Sequence, residues 1–529
     1  MSEPRVMGWK GLDLCICAGF LLFLIAPAID FALHHDRTPG EMLENRSAAE
    51  FPRSPRSTLD WAGWPRAFEA WHDDHFGLRN TLVRSHNRLM IFGLGSSPSQ
   101  RVLIGREHWI FVTGPGVDLW RGNDPFTQAE LEAWRRALES RQRELAKRGI
   151  EYVFVLAPSK SEIYPEFLPP QIRKGGPSRT DQLVAHLQEH SSFRILDLRG
   201  ALLEEKRKDS GDDWTFFPLG THWTDRGAAA GTRAIARELG KLRPEVAGVD
   251  DTIEELVLSE GAGDSWAGRL YMPDLLKQTV RSVRFRESTP RTLTIARAEA
   301  ARQATADQAD PSLPRALVLH DSFGEPLVGM LGRHFSHSVF IWNPEIDLDL
   351  IEREKPDFVI HVFNDRVLST LQPQEFNAAD GSRAREQFEA SRDVVLQLDA
   401  ARNLPEIRAF GEATIALRSE GATTRVACKQ NSAAGGFLLP EVRLRAGMHP
   451  ILRLEFESPI SSTASVLYQT RSDLNFSRKR QLHYEIRQGT NLLFVEILEP
   501  ELAGAILLRP ANEPGTFLVS GLEARLVPD

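Results

Sequence analysis

The chain opens with one long apolar run, continues as short apolar strands alternating with helical patterns, and ends in strictly alternating strands. Residues 14–29 read LCICAGFLLFLIAPAI, without a charge; Asp30 interrupts the run and Phe31 to Leu33 lengthen it. Residues 34–60 are polar and rich in Pro and Arg, the composition of a linker. Trp61, Trp64, Phe68 and Trp71 then recur at three- and four-residue spacing, with Phe76 five residues on, and predict a helix. From about residue 100 the period switches repeatedly. Val102 to Phe111 reads as strands around Gly105, and Thr127-Gln-Ala-Glu130 is a capping box opening a helix to about Lys147. EYVFVLA (151–157), RILDL (194–198), ALVL (316–319), VFIW (339–342) and DFVIHVF (357–363) read as buried strands. Helical stretches at 226–239, after Ser322, and at 345–354 separate them. That order predicts a mostly parallel sheet covered on both faces. After a helix at 381–392 the pattern becomes that of a β-sandwich. Leu452, Leu454 and Phe456 face one way in ILRLEFE, LHYEIR repeats the two-residue period, and SVLYQT, NLLFVEIL, AILLRP and TFLVSGLEARL add strands at short spacing.

Composition narrows the class. The 529 residues allow about three domains or fewer. At 42% hydrophobic and 26% charged the chain is too polar for a multi-span membrane protein. A net charge of −8 argues against nucleic acid as partner. Cys15, Cys17 and Cys428 cannot build a zinc framework, and no metal site is expected; His72, Asp73, Asp74, His75, His334 and His337 read as solvated or structural positions. Arg5 and Lys10 precede the apolar run and predict a cytoplasmic amino terminus with the remainder exported. The run reads as a signal anchor over residues 11–33; Ala26-Pro27-Ala28 keeps open the alternative of a cleaved signal peptide.

Candidate chemistry lies in two blocks. LVLHDSFGEP (317–326) puts Ser322 where a buried strand ends and a helix begins, beside backbone amides that can hold an oxyanion. The same junction fits a serine that only caps its helix. FFPLGTHWTDRGAA (216–229) puts His222 just before a helix, and histidine is the side chain suited to serve as base for a serine.

These blocks, with E44-N-R46, DDHFGLRN (73–80), VLIGREHWIF (102–111), APSKSEIYPEFLP (157–169), HDSF (320–323) and KPDFVIHVFNDR (355–366), resemble in content and order the alginate O-acetyltransferase family of AlgX/AlgJ type, a circularly permuted branch of the SGNH hydrolase-like fold. The resemblance implies that Ser322 accepts the acyl group and His222 is its base. It also implies a membrane-bound O-acyltransferase partner that supplies acetyl. In one respect the chain departs from the family. The acid expected two residues before the histidine is Gly220 here. Asp225 is the nearest replacement, with Asp212 and Asp213 upstream. Asp321, Phe323, Lys160, Tyr164, Asn364 and Arg366 are candidates for binding substrate or the oxyanion. The terminal sandwich resembles carbohydrate-binding jelly rolls, with Tyr468 and Tyr484 (or Phe476) as stacking candidates.

The expected organisation is a cytoplasmic tail (1–10), an anchor (11–33), a linker and helical lead-in (34–95), an SGNH-like α/β domain (96–380) and a β-sandwich (381–529). The expected function is a periplasmic O-acetyltransferase, held in the inner membrane, that acetylates a bacterial exopolysaccharide without a cofactor. A polysaccharide acetylesterase using the same site, and a non-catalytic glycan-binding subunit of a secretion complex, are the alternatives.

Overall fold

The structure, a computed structural model, describes residues 9–528 apart from short stretches, of which 248–252, 286–292, 374–381 and 399–406 are the longest. Arg5, Glu44, Asn45, Asp212, Glu345 and the expected boundary at residue 380 lie outside the described residues.

The apolar run forms the helix Trp9–Leu33, and its segment Asp13–Leu33 is long and apolar enough to cross a membrane. Its large apolar side chains, Phe20 to Ile25 among them, are exposed. The helix Thr58–His75 and the shorter Arg79–Arg88 follow. His72 to His75 do not form a ligand cluster. Asp74 is buried and accepts from the Ala49 N–H at 2.9 Å, while His75 Nδ1 lies 2.8 Å from the Trp71 carbonyl of its own helix.

One sheet organises the α/β region. Its order is Leu196–Asp197, Glu151–Ala157, Phe358–Asn364, Arg315–His320, His337–Ile341, Gln303–Asp307 and Thr294–Ala298. The first five strands are parallel, and the last two join antiparallel. The central strands are apolar on both faces because helices cover both. One face packs Trp223, Ala228, Ile235 and Phe323 against Val318 and Ile360; the other packs Trp134, Leu138 and Leu183 against Leu317 and Val359. Thr127 and Glu130 complete the capping box, and the helix runs Gln128–Ala146. The two strands that join antiparallel, and the hairpin Ile253–Glu260/Thr279–Phe285, were not evident in the chain's pattern. Strands such as TIARA and QATAD carry too few large apolar residues to stand out.

The carboxyl-terminal region is all-β after the helix Ser382–Ala390. Two antiparallel sheets are built on Met448–Ser458 paired with Gly515–Pro528, and on Ser462–Thr470 paired with Leu502–Arg509. Leu452, Leu454, Val466, Tyr468 and Leu508 fill a core between them. This corrects the expectation of a stacking platform at Tyr468: its side chain is fully buried and cannot meet a sugar ring. Tyr484 is half-buried and packs on the same core. Phe476 lies edge-on against Phe410.

Candidate active site

Ser322 stands where the central strand Arg315–His320 leaves the sheet. Asp321 makes the turn. Its two carboxylate oxygens accept from the N–H groups of Phe323 and Asn364, both at 2.9 Å, which ties the serine turn to the neighbouring strand. Burial is the main cause that raises the Asp321 pKa, and those backbone donors oppose it. A Cβ at Gly324 would lie 2.3 Å from the His320 side chain, so the turn needs glycine there. Phe323 is buried, with its ring packed on His222 and Trp223. It is therefore a packing residue and not a substrate contact.

His222 precedes the helix Asp225–Leu242, whose N-cap is Thr224. His222 Nε2 lies 2.8 Å from Ser322 Oγ, and Nδ1 lies 2.7 Å from Asp264 Oδ2. An ionised carboxylate only accepts, so Nδ1 carries the proton and the Nε2 lone pair faces the serine hydroxyl. That is the tautomer a base needs.

The carboxylate that meets His222 is thus Asp264, not Asp225. Asp225 sits in the first turn of the following helix, where its carboxylate accepts from the Val283 N–H at 3.3 Å. Burial raises its pKa. Asp213 is buried beside Arg226, 3.5 Å from that guanidinium. Asp264 also accepts from the Thr221 N–H, from Thr221 Oγ1 at 3.0 Å and from the His222 N–H at 3.0 Å. Burial opposes its ionisation. The hydrogen bond and charge of His222, with the two backbone donors, outweigh burial and hold its pKa well below the carboxylate range.

Gly220 explains the relocation. A Cβ at residue 220 would lie 2.3 Å from the Asp264 carbonyl oxygen and 2.7 Å from its carboxylate. The space that a side chain two residues before the histidine would occupy is filled by a carboxylate arriving 42 residues later in the chain. No local pattern around Asp264 announces this. The only sequence signal was the glycine in an acid's place.

Lys160 does not line the cleft as a free cation. It is buried, and its three N–H donors go to the carbonyls of Phe217 and Pro218, both at 2.9 Å, and of Gly220 at 2.6 Å. All lie in the loop that delivers His222. Burial lowers its pKa to about 7, with the Asp264 charge opposing. Asp365, which the sequence reading passed over, fixes the residue before it. Its carboxylate accepts from the Ser159 N–H at 2.9 Å and from the Ser159 hydroxyl. Gln278 closes the other side of the loop, donating to the Asp264 carbonyl at 2.8 Å and accepting from the Leu219 N–H at 2.9 Å.

Tyr164 is likewise withdrawn from substrate. It is fully buried, donates to Asp209 and lies 2.7 Å from Thr215 Oγ1; burial raises its pKa. Asn364 is buried too. Its amide donates to the Ala157 carbonyl at 3.0 Å, so that group is not aimed at an oxyanion. Arg366 is half-buried, donates through Nε to Asn364 Oδ1 and lines a narrow cleft with Phe111, Gly116 and Thr221. Lys160 lines the same cleft, but its ammonium is taken up by the three carbonyls of the His222 loop.

Residues 102–340, which hold Ser322, His222 and Asp264, match the family described as the SGNH hydrolase-like domain of acetyltransferase AlgX. A probable alginate O-acetylase AlgJ of Pseudomonas fluorescens is 24% identical over 209 residues, 38% of this chain and 48% of that protein. The chain spans about half the length of the curated relatives it matches. Among solved structures, Pseudomonas aeruginosa AlgX is 13% identical, with 84% of this chain and 98% of that one covered and a TM-score of 0.41. Bacillus cereus PatB1 with a sulfonyl adduct is 18% identical, with 50% and 97% covered and a TM-score of 0.38. Over residues 102–340 this chain is thus similar to the SGNH hydrolase-like domain of acetyltransferase AlgX, and its curated relatives are of AlgJ type.

Proposed function

We propose that this protein is an exported O-acetyltransferase that moves acetyl groups onto hydroxyls of a bacterial exopolysaccharide through an acetyl-Ser322 intermediate. The observation that carries this reading is the continuous relay from Asp264 through His222 to Ser322. Ser322 Oγ attacks the acetyl carbonyl of the donor while Nε2 takes its proton. Asp264 supports the imidazolium that forms. The tetrahedral oxyanion forms beside the Ser322 N–H, and His222 protonates the leaving oxygen as the donor departs. A sugar hydroxyl then gives its proton to Nε2 and attacks the acetyl-serine, and on collapse Nε2 passes that proton to Ser322 Oγ as the Oγ–acyl bond breaks, freeing the sugar ester and Ser322.

The relatives' name, alginate O-acetylase, supports an exopolysaccharide as acceptor. The helix Trp9–Leu33, apolar and exposed, supports an inner-membrane anchor with the remainder in the periplasm, where a membrane-bound O-acyltransferase would deliver acetyl. The chain order of histidine, acid and serine supports the permuted arrangement within residues 96–380, and the two facing sheets support a jelly roll over 381–529. Gly220 was the ground for a non-catalytic subunit, and Asp264 supplies the carboxylate that glycine lacks.

The test is to incubate the protein with an activated acetyl ester and locate acetyl by mass spectrometry. Acetyl on Ser322, absent in Ser322→Ala and His222→Ala and chased onto an added oligosaccharide, is the expected result. Release to water alone would make the protein an esterase. No acetyl-enzyme from folded protein would refute both.

A further inference from the structure

A second cleft, of about 580 Å³, lies outside the relay, between the helix Arg79–Arg88 and the segment Trp266–Leu270. Leu82, Val83 and Trp266 give it apolar walls, and Arg101, Arg269 and His86 give it basic groups; no acidic residue lines it. The Arg269 guanidinium lies 4.5 Å from the centre of the Trp266 ring. Arg101 and Arg269 are exposed, and neither guanidinium has a carboxylate partner among the described residues. Residues 76–106 contain Arg79, Arg84, Arg88, Arg101 and Arg106 and no Asp or Glu, in a chain whose net charge is −8.

The position of this basic segment identifies its ligand. The membrane-length helix is tied to it at its carboxyl end. The Leu78 N–H donates to Asp30 Oδ2 at 2.8 Å, and the Thr81 N–H donates to Asp36 Oδ2 at 2.9 Å. Gly77 lies so close to Pro27 that a Cβ there would be 1.8 Å from its carbonyl oxygen. Leu82 and His86 therefore stand about one and two helical turns beyond that junction. A headgroup layer is of similar depth, roughly 5–7 Å on each side of the hydrocarbon. The neighbouring Leu89, Phe92 and Leu94 are exposed. Apolar side chains beside Arg101 and Arg269 suit the boundary between headgroups and acyl chains, whereas Arg84 is already paired with Asp274 at 2.6 Å.

We propose that this cleft binds an anionic phospholipid of the bilayer that holds the N-terminal helix. Arg101 and Arg269 hold the phosphodiester, to which guanidinium forks are matched. Leu82, Val83 and the Trp266 edge lie along the glycerol and acyl chain. The proposal rests on the anchor reading above.

The test uses the full chain, extracted in mild detergent and stripped of lipid, with bound lipid counted by native mass spectrometry. Phosphatidylglycerol should be retained at least about tenfold over phosphatidylcholine. Arg101→Gln/Arg269→Gln should lose that preference with an unchanged circular dichroism spectrum. Excess inorganic phosphate and an acidic oligosaccharide should leave the bound lipid in place. Equal retention of the two lipids, or an unchanged preference in the double variant, would overturn the proposal. Displacement by phosphate would show a small-anion site, and displacement by the oligosaccharide a glycan cleft; either would also overturn it. Washing membranes with alkaline carbonate separates the two readings. A chain stripped off refutes the anchor, whereas a chain that stays but shows no lipid preference refutes the cleft alone.

Discussion

The two ends of the relay are built in opposite ways. Ser322 is placed locally: the strand Arg315–His320 ends, Asp321 caps the turn and Gly324 clears the His320 ring, all within ten residues of sequence. His222 is placed from a distance. Its loop is held by Lys160, by Gln278 and by Asp264, which come from three other parts of the chain. A strand end sets its own geometry through sheet pairing, whereas a loop must satisfy its carbonyls with whatever packs against it. The nucleophile end should therefore fail through chemistry when mutated, and the histidine end through position.

Removing the nucleophile is the extreme case. Ser322→Ala should abolish acetyl-enzyme and lower turnover about 10⁴-fold or more, with the melting temperature little changed. Next comes Asp264→Asn, which leaves the loop packed but allows the wrong tautomer. Turnover should fall about 10²- to 10⁴-fold. The same variant has a stability signature. Because the folded-state pKa of Asp264 is depressed, its contribution is present above the unfolded carboxylate pKa and is lost as pH falls through the folded one. Acid unfolding curves of Asp264→Asn should lack that share of the decline.

Lys160→Met sharpens the contrast. It leaves three carbonyls without their donor and should cost about 1–3 kcal/mol of stability. For a small acetyl ester, kcat should fall while KM holds, because the lysine acts through the His222 loop. The folded pKa of about 7 lies below the unfolded 10.5, so the unfolded chain binds more protons between them. Wild-type stability should therefore gain from this group as pH rises from about 7 to 10.5, and urea titrations of Lys160→Met should lack that gain. The smallest effect is expected for Tyr164→Phe. It loses the hydrogen bonds to Asp209 and Thr215, at about 1 kcal/mol, with activity nearly intact.

The same contrast explains what could be read from the chain. Ser322 and the central strands were legible because buried parallel strands are continuous apolar runs and the serine turn follows one directly. The capping box at Thr127 was legible for the same local reason. His222 was found by its block, but its acid was not, since Asp264 reaches it across 42 residues and through the hole left by Gly220. Lys160 and Tyr164 were noticed as unusual in PSKSEIYPE, yet their burial depends on Trp109, Phe167 and the 215–220 loop, which no spacing reveals. Tyr468 illustrates the converse error: in an alternating strand, phase alone did not tell the core face from the solvent face.

The relay's central claim is that Asp264, and not Asp225, supports His222. The direct measurement is the rate of acetyl-enzyme formation from an activated ester in Asp264→Asn and Asp225→Asn side by side, both checked for folding. A loss of at least about a hundredfold in Asp264→Asn with a near wild-type rate in Asp225→Asn is the expected result. A near wild-type rate in Asp264→Asn, or the large loss in Asp225→Asn instead, would contradict it.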